Sequence, residues 1–208
     1  KMSLIIFEKE VKTTRATIKK LEAQGNIKLT EECIYRNPLS IFKDNKLEPL
    51  SELSGEQLSA YEGIKSKLNS RNPILLHGVT ASGKTEVYFK LIQDTINAGK
   101  NVLFLAPEIA LASQLTQRIA KKFGINEVAI WHSSISDGEK YDVWNRLYNN
   151  EIKILAGARS AVFAPLQNIG LIIIDEEHEG AYKQSNPAPR YDAKVVAKKL
   201  AQYHNAPL

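Results

Sequence analysis

The 208-residue chain has a single cysteine, Cys33, and this scarcity limits its chemistry. One thiol forms neither an intramolecular disulfide nor a cysteine-rich zinc site, and its neighbours favour a half-buried strand position over a nucleophile. Long apolar runs are also missing, since none approaches the roughly 18 residues of a membrane span. No charged-then-apolar signal segment opens the chain. We therefore expect a cytoplasmic protein with no membrane partner.

The rest of the composition is ordinary for a globular protein, with 43% hydrophobic and 25% charged residues. The formal net charge of +5 points modestly toward nucleic acid. A mildly basic surface is common on solvated proteins, so charge alone leaves the partner open. The sequence motifs are therefore needed to identify the partner.

A glycine-rich segment, Gly78-Val-Thr-Ala-Ser-Gly83-Lys84-Thr85, matches the phosphate-binding pattern G-x-x-x-x-G-K-[ST] at every fixed position. The apolar run Pro73–His77 precedes it and a helical pattern follows, which predicts a strand–loop–helix setting. Lys84 would neutralise the β/γ-phosphates and the Thr85 hydroxyl would bind Mg²⁺. The predicted nucleotide-binding residues of this loop are Gly78, Val79, Thr80, Ala81, Ser82, Gly83, Lys84 and Thr85.

An acidic run, Asp175-Glu176-Glu177-His178, follows the apolar, β-branched run Leu171–Ile174. Such a run is typical of a strand covered on both faces, and its carboxyl end lies beside the glycine loop in an open α/β sheet. We expect Asp175 to hold Mg²⁺ through water and Glu176 to orient or deprotonate the attacking water. A solvated acidic turn and a merely hydrogen-bonding His178 are the alternatives. Paired with the loop, the run predicts NTP hydrolysis, with Lys84, Asp175, Glu176 and His178 as catalytic candidates.

Further segments lie between and beyond these motifs, namely Ala106–Gln114, His132-Ser-Ser, Gly157–Pro165 and Glu179–Gln184. Together with the two motifs they resemble the first motor lobe of the primosomal replication protein N′ (PriA) helicases, over residues 50–208. This is a 3′-to-5′ DNA helicase family of superfamily 2 that acts in replication restart and primosome assembly. The resemblance implies ATP and Mg²⁺ as cofactors. It implies single-stranded and forked DNA, other primosome proteins and single-strand-binding proteins as partners.

The resemblance also suggests DNA-binding residues, which are Pro107, Glu108, Gln114, His132, Arg159, Ser160, Tyr182, Lys183 and Arg190. Two positions depart from the family pattern, because Ala81 replaces a usual glycine and Ala158 a frequent threonine. Position 81 is free in the loop pattern, so we do not expect nucleotide binding to be lost. The family's cysteine-rich zinc segment and its second lobe with arginine fingers come later in the family's sequence. We therefore expect a fragment without zinc that binds ATP but hydrolyses it poorly.

Gln57 lies upstream of the glycine loop in a segment with apolar residues at helical spacing. It resembles the adenine-reading glutamine of superfamily 2 helicases, and a helix-surface glutamine is the alternative. Further along we predict helices ending at Asn97 and over Glu108–Phe123, Gly138–Tyr148 and Ala193–Tyr203, and strands over Asn101–Leu105, Val128–Ile130, Ile152–Ala156 and Leu171–Ile174. This alternation predicts an α/β fold, a RecA-like P-loop NTPase lobe whose parallel sheet carries helices on both faces.

The stretch from Tyr182 to Tyr191 contains two prolines, which exclude a helix through its middle. We predict a mobile loop beside the γ-phosphate whose tyrosines, with Lys183 and Arg190, suit base stacking and phosphate contact. It resembles the aromatic-rich loop that couples DNA to hydrolysis in this family and in RecQ helicases. A solvent loop whose tyrosines pack on the lobe is the alternative.

Residues 1–49 are predicted as a separate unit, part of a winged-helix domain that the family places before the motor lobe. Thr13–Gln24 has a basic helical pattern, and Ile27–Leu29 with Cys33–Tyr35 could form a hairpin after it. Arg15 and Lys19 would contact DNA phosphates from the helix. A small helical domain with a solvated basic face is the alternative.

Two other functions are alternatives to the replication-restart helicase. One is a superfamily 2 DNA translocase or RNA helicase lobe, against which the segments RSAVFAP and DEEHEGAYKQ argue. The other is a non-catalytic primosome scaffold, against which the intact Lys84, Asp175 and Glu176 argue.

Overall fold

A computed structural model of the protein describes residues 4–30, 35–41, 47–70, 72–79, 82–107 and 114–208. The chain divides into two compact units, residues 1–34 and 35–208. Four residues named above, Cys33, Thr80, Ala81 and Glu108, lie outside the described ranges, and Gln114 is described only as the first residue of a helix. Within those ranges, no helix is long and apolar enough to cross a membrane.

The first unit contains two short helices, α1 (Leu4–Glu10) and α2 (Arg15–Ala23). Thr14 caps α2, since its Oγ1 accepts from the Thr17 main-chain N at 3.4 Å. Residues 27–30 form no strand, so the predicted first strand of the hairpin is wrong. The Leu29 N–H bonds instead to the Glu22 carboxylate at 3.1 Å, which ties this segment back to α2. The winged-helix assignment stays a prediction.

The second unit is built on a parallel four-stranded sheet of order β2-β3-β1-β4. Its strands are β1 (Asn101–Leu105), β2 (Val128–Trp131), β3 (Ile154–Gly157) and β4 (Ile169–Ile174). In register, Val102 of β1 lies opposite Ile154 of β3 and Leu171 of β4. The predicted parallel sheet is confirmed, with strand ends shifted by at most two residues.

Helices cover both faces of this sheet, as predicted. They are α3 (Gly55–Lys65), α4 (Lys84–Asn97), α5 (Gln114–Phe123), α6 (Asp137–Tyr148) and α7 (Ala193–His204). On one face Phe104 packs with residues of α4 and α5, and on the other Leu105 packs with residues of α6 and α7. Successive strand residues point to opposite faces, so each strand contributes to both cores.

The strand predicted before the glycine loop is absent, because residues 73–77 are not assigned to a strand. The Ile74 N–H donates to the Leu208 carbonyl at 2.8 Å, and the Ile172 N–H donates to the Pro207 carbonyl at 3.0 Å. The last two residues therefore lie between β4 and this segment, and the paired stretch is too short to count as a strand. Leu75 is left 73% exposed.

Residues 35–41 and 47–49 form a strap that belongs to the second unit, whereas their sequence predicts that they belong to the N-terminal segment. The Arg36 N–H donates to Asp142 Oδ2 at 2.9 Å, and Asn37 Nδ2 donates to the Ile125 carbonyl at 2.8 Å. Leu39 is fully buried in the core. A 3₁₀ turn over Pro38–Ile41 packs against β2, the outermost strand on this side of the sheet.

Candidate nucleotide site

The carboxyl ends of the four parallel strands bring the sequence motifs to one edge of the sheet. Candidate residues lie within three positions of the ends of β2, β3, β1 and β4. They are, in spatial order, His132, Arg159 with Ser160, Pro107, and Asp175 with Glu176. In open α/β sheets this edge is where ligands bind. The residues predicted for nucleotide and for DNA thus share it, with Asp175 at one end and His132 at the other.

The glycine loop leads directly into α4, whose first residue is Lys84. Gly83 has φ +80°, in the left-handed region that favours glycine, and a Cβ there would lie 2.1 Å from Gln57 Nε2. Lys84 Nζ donates to the carbonyls of Gly78 at 2.8 Å and Val79 at 3.2 Å. The lysine therefore folds back over the loop whose phosphate it is predicted to bind.

Gln57 lies against this loop, with both halves of its carboxamide engaged. Its Oε1 accepts from the Ser54 N–H at 2.9 Å, which forms a capping box at the start of α3. Its Nε2 donates to the Ser82 carbonyl at 3.4 Å. Gln57 therefore contacts the loop as well as the start of its own helix. Recognition of adenine by Gln57 stays a prediction.

The acidic pair sits where β4 ends. The Asp175 N–H donates to the Leu105 carbonyl at 2.8 Å, and Glu176 has φ +47°, in the left-handed region. Burial raises the pKa of Asp175 and the Glu176 charge raises it further, whereas a hydrogen bond from Tyr88 and the Lys84 charge lower it. The positive charge of Lys84 and the carboxylate of Asp175 therefore act on each other across the site.

Sequence reasoning missed Tyr88, which is buried in α4 one turn after Lys84. Its ring packs edge-on against Phe104 at 5.9 Å between centroids, and its hydroxyl hydrogen-bonds the Asp175 carboxylate. Burial, followed by the Asp175 charge, raises the pKa of Tyr88. The only available signal was its spacing of four residues from Lys84, which puts both on one face of a helix.

A cavity of about 690 Å³ joins the two motifs. Its lining includes Gly78 and Lys84 from the loop side and Glu176 and His178 from the acidic side. His178 Nε2 lies 3.7 Å from Glu176 Oε2. A second residue that the sequence did not indicate is Lys194, whose Nζ donates to the Glu177 carbonyl at 3.1 Å and holds the acidic turn against α7.

Tyr182 does not occupy the position predicted for it. Its side chain is only 1% exposed, so in this structure it presents no face to a base, and stacking of Tyr182 on DNA stays a prediction. The hydroxyl donates to the Asp175 carbonyl, beneath the acidic pair. Tyr182 therefore packs inside the lobe, as in the alternative given above for the tyrosines of this segment.

The following residues form a hairpin and not an irregular loop. Strands β5 (Lys183–Gln184) and β6 (Tyr191–Asp192) pair antiparallel. Gln184 Nε2 donates to the carbonyls of Pro187 at 3.0 Å and Pro189 at 2.9 Å, which closes the hairpin from within. The prediction of a mobile loop overlooked these side-chain-to-backbone bonds.

Arg159 joins the base of this hairpin to the end of β3. Its Nη1 donates to the carbonyls of Ala181 at 3.4 Å and Lys183 at 3.5 Å. The Lys183 and Arg190 side chains are exposed, and Ser160 is half-buried beside Arg159.

In the first unit, Arg15 and Lys19 are exposed on α2, and Arg15 Nε lies 3.8 Å from Glu8 Oε1. Contact of any of these residues with DNA stays a prediction.

Comparisons with known proteins agree with this geometry. The chain is 46% identical over 202 residues to the replication restart protein PriA of Bacillus subtilis (strain 168), covering 96% of this chain and 25% of that protein. It is 41% identical over 202 residues to the PriA protein of Synechocystis sp., covering 96% of this chain and 24% of that protein. These similarities confirm the resemblance to PriA helicases, and the chain corresponds to only a part of each relative.

A solved structure of RecG bound to a three-way DNA junction has a similar fold, with a TM-score of 0.55 and 30% identity over 68% of this chain and 20% of that one. A RecA-like helicase lobe is therefore confirmed as the fold of the second unit. One family matches residues 50–206, which include the glycine loop, the sheet and the acidic pair. Because this match extends over most of its length, the chain belongs to the family described as "Type III restriction enzyme, res subunit".

Proposed function

We propose that the chain is the ATP-binding first motor lobe of a replication-restart DNA helicase. The observation that carries this proposal is the shared cavity, which is lined by Lys84 from the phosphate loop and by Glu176 from the end of β4. Phosphoryl transfer needs positioning and charge neutralisation more than covalent help, and this arrangement supplies both. Similarity to PriA and to the junction-bound RecG supports DNA as the polymer on which the lobe acts.

ATP and Mg²⁺ are the proposed cofactors, and the donor set fits them. Thr85, the second residue of α4, and Asp175 at the end of β4 offer a hydroxyl and a carboxylate, the hard oxygens that Mg²⁺ prefers. When bound, Mg²⁺ would neutralise charge on the phosphates. Lys84 would leave the loop carbonyls for the phosphates, and Glu176 would orient the attacking water.

The proposed function also includes a direction of movement, partner molecules and a source of efficient hydrolysis. We propose 3′-to-5′ movement on single-stranded or forked DNA, in concert with primosome and single-strand-binding proteins in the cytoplasm. Efficient hydrolysis would require arginine fingers from a second lobe, which contribute about 10³ to 10⁵ in turnover in related phosphoryl-transfer enzymes. A superfamily 2 DNA translocase or RNA helicase lobe and a non-catalytic primosome scaffold remain the alternatives, and no contact among the described residues of the second unit favours either over the helicase.

Calorimetric titration with ADP in the presence and absence of Mg²⁺ tests the proposal. The wild-type chain should bind ADP more tightly with Mg²⁺, and Lys84→Ala should abolish binding. The matched control is Lys90→Ala, which removes a lysine from the same helix away from the loop and should bind as the wild type does. Equal affinity of the wild type and Lys84→Ala for ADP would refute the site.

A further inference from the structure

Tyr182 places a polar atom inside the lobe, directly beneath the acidic pair. The residue ends a 3₁₀ turn over Gly180–Tyr182, and its ring is buried. Its hydroxyl donates to the main-chain carbonyl of Asp175, and it lies 3.3 Å from the carbonyl of Leu105. A buried hydroxyl needs an acceptor, and this one finds it in the main chain of the acidic pair and not elsewhere in the core.

These three residues close the end of the β1–β4 ladder. The Leu105 carbonyl accepts from the Asp175 N–H at 2.8 Å and also faces the Tyr182 hydroxyl. The Asp175 residue is therefore held on both sides, by Leu105 at its N–H and by Tyr182 at its carbonyl. Burial raises the pKa of Tyr182, so the hydroxyl keeps its proton and stays a donor at neutral pH.

The held carbonyl belongs to the peptide that links Asp175 to Glu176. Glu176 has φ +47°, a region that non-glycine residues rarely adopt and keep only when their surroundings enforce it. The orientation of this peptide is set by ψ of Asp175 and φ of Glu176, so loss of its restraint would free the two dihedral angles that fix the direction of one carboxylate relative to the other. Lys194 restrains the turn from the Glu177 side, but that bond lies beyond the peptide in question.

We propose that Tyr182 is a positioning residue, whose hydroxyl fixes the Asp175–Glu176 peptide and thereby the aim of the Mg²⁺-binding and water-orienting carboxylates. The proposal rests on the proposed function for the roles of those carboxylates, but its structural part concerns only the backbone. This role does not require the Tyr182 ring to face a base.

The test uses Tyr182→Phe, which keeps the ring and removes only the oxygen. The matched control is Tyr61→Phe, because Tyr61 is also buried and its hydroxyl also bonds an acceptor in the lobe, the Asp94 carboxylate. Amide hydrogen exchange is measured without nucleotide, with amides of β1 as an internal reference. ADP affinity is then measured with Mg²⁺ and with a chelator.

Tyr182→Phe should accelerate exchange of the amides from Asp175 to Glu179 by about tenfold or more and leave β1 unchanged, as expected for local opening. It should also reduce the gain in ADP affinity that Mg²⁺ produces by about tenfold, in the range seen when outer-shell partners of metal ligands are lost. Affinity in chelator should be unchanged, and Tyr61→Phe should show neither effect.

Two results would overturn the proposal. One is unchanged exchange between Asp175 and Glu179 in Tyr182→Phe, and the other is equal acceleration in β1, which would mean that the hydroxyl stabilises the whole lobe. If wild-type ADP binding does not respond to Mg²⁺ at all, the proposed function fails, while the exchange measurement still decides the role of Tyr182.

Discussion

Gln57 Nε2 donates to the Ser82 main-chain carbonyl at 3.4 Å, which links α3 to the phosphate-binding loop. The same carboxamide caps α3 through Oε1 and the Ser54 N–H. One side chain therefore serves the stability of a helix and the shape of the loop. Its two contacts can be separated by substitution, because a carboxylate retains the acceptor and loses the donor.

Gln57→Glu should preserve the cap of α3 and weaken ADP binding, since it cannot donate to Ser82 and adds negative charge beside the phosphates. Gln57→Ala should weaken ADP binding and also lower the free energy of unfolding by about 0.5–1.5 kcal/mol, because it removes the bond from the Ser54 N–H while the Ser54 cap itself remains. Chemical denaturation and ADP titration measure the two effects. If adenine is read here, Gln57→Ala should also reduce the preference for ADP over GDP. Wild-type affinity in both variants would return Gln57 to the role of a helix cap.

Asp175→Asn should stabilise the ligand-free lobe while removing the Mg²⁺ dependence of nucleotide binding. Folding raises the pKa of this carboxyl above its ordinary 3.8, mainly through burial. Between the unfolded and folded pKa values the folded state binds more protons, so stability falls as pH rises through that window. At pH 7 the asparagine variant lacks this penalty and should melt at a higher temperature.

The gain from Asp175→Asn should shrink as the pH is lowered through the raised pKa, because the wild-type carboxyl is then protonated as well. Thermal melts between pH 7 and pH 4 measure the trend. Asp137→Asn is the control for removal of a carboxylate, since that side chain is fully exposed. A constant or growing difference toward low pH would contradict the assignment of a buried, penalised carboxylate at Asp175.

Leu39→Ala should destabilise the second unit by about 2–5 kcal/mol, the usual cost of emptying a buried leucine site. Leu39 is fully buried, whereas Leu47 in the same strap is 60% exposed. Leu47→Ala is therefore a matched control and should change the unfolding free energy by less than about 1 kcal/mol. Urea denaturation of the two variants checks this. Equal effects would show that the strap is not part of the core.

DNA binding should fall as salt rises, because phosphate contacts release counterions. If the exposed Lys183 and Arg190 on the hairpin contact phosphates, replacing each by alanine should lower the salt slope by about 1. Arg15→Glu with Lys19→Glu should weaken binding equally across sequences. Fluorescence anisotropy with labelled single-stranded and forked DNA provides the measurement, with Lys199→Ala, an exposed lysine on α7, as control. Affinity that does not change with salt would argue against phosphate contact altogether.

Sequence patterns predicted the sheet well where burial dictated the pattern. The run Asn101–Leu105 is a strand over the residues predicted for it, because its apolar residues can be satisfied only inside a covered sheet. The glycine loop and the acidic pair also lie together as expected. In both cases the local chain signals the structure directly.

Patterns failed where distant partners decide the structure. Tyr182 reads as a loop aromatic, yet the carbonyls of Asp175 and Leu105 draw it inside. The sequence of Pro73–His77 predicts a strand, but its pairing depends on Leu208, more than 130 residues later, whose carbonyl accepts from the Ile74 N–H. Tyr88 belongs to no sequence motif, and its contact with Asp175 exists only because α4 packs against β4. Such contacts depend on tertiary structure, which periodicity does not encode.

The strap has a practical consequence for where the lobe is cut from a longer polypeptide. Sequence similarity suggests a start at residue 50, but the compact unit that contains the lobe begins at residue 35. Within this unit the Arg36 N–H bonds to Asp142, 106 positions later in the chain. A shortened protein starting at residue 50 would lose the Pro38–Ile41 turn that packs on the outermost strand. Leu39 in this turn belongs to the apolar core, so its removal would expose core residues to water. Exposed apolar patches promote association, so such a preparation should self-associate where the longer one stays monodisperse.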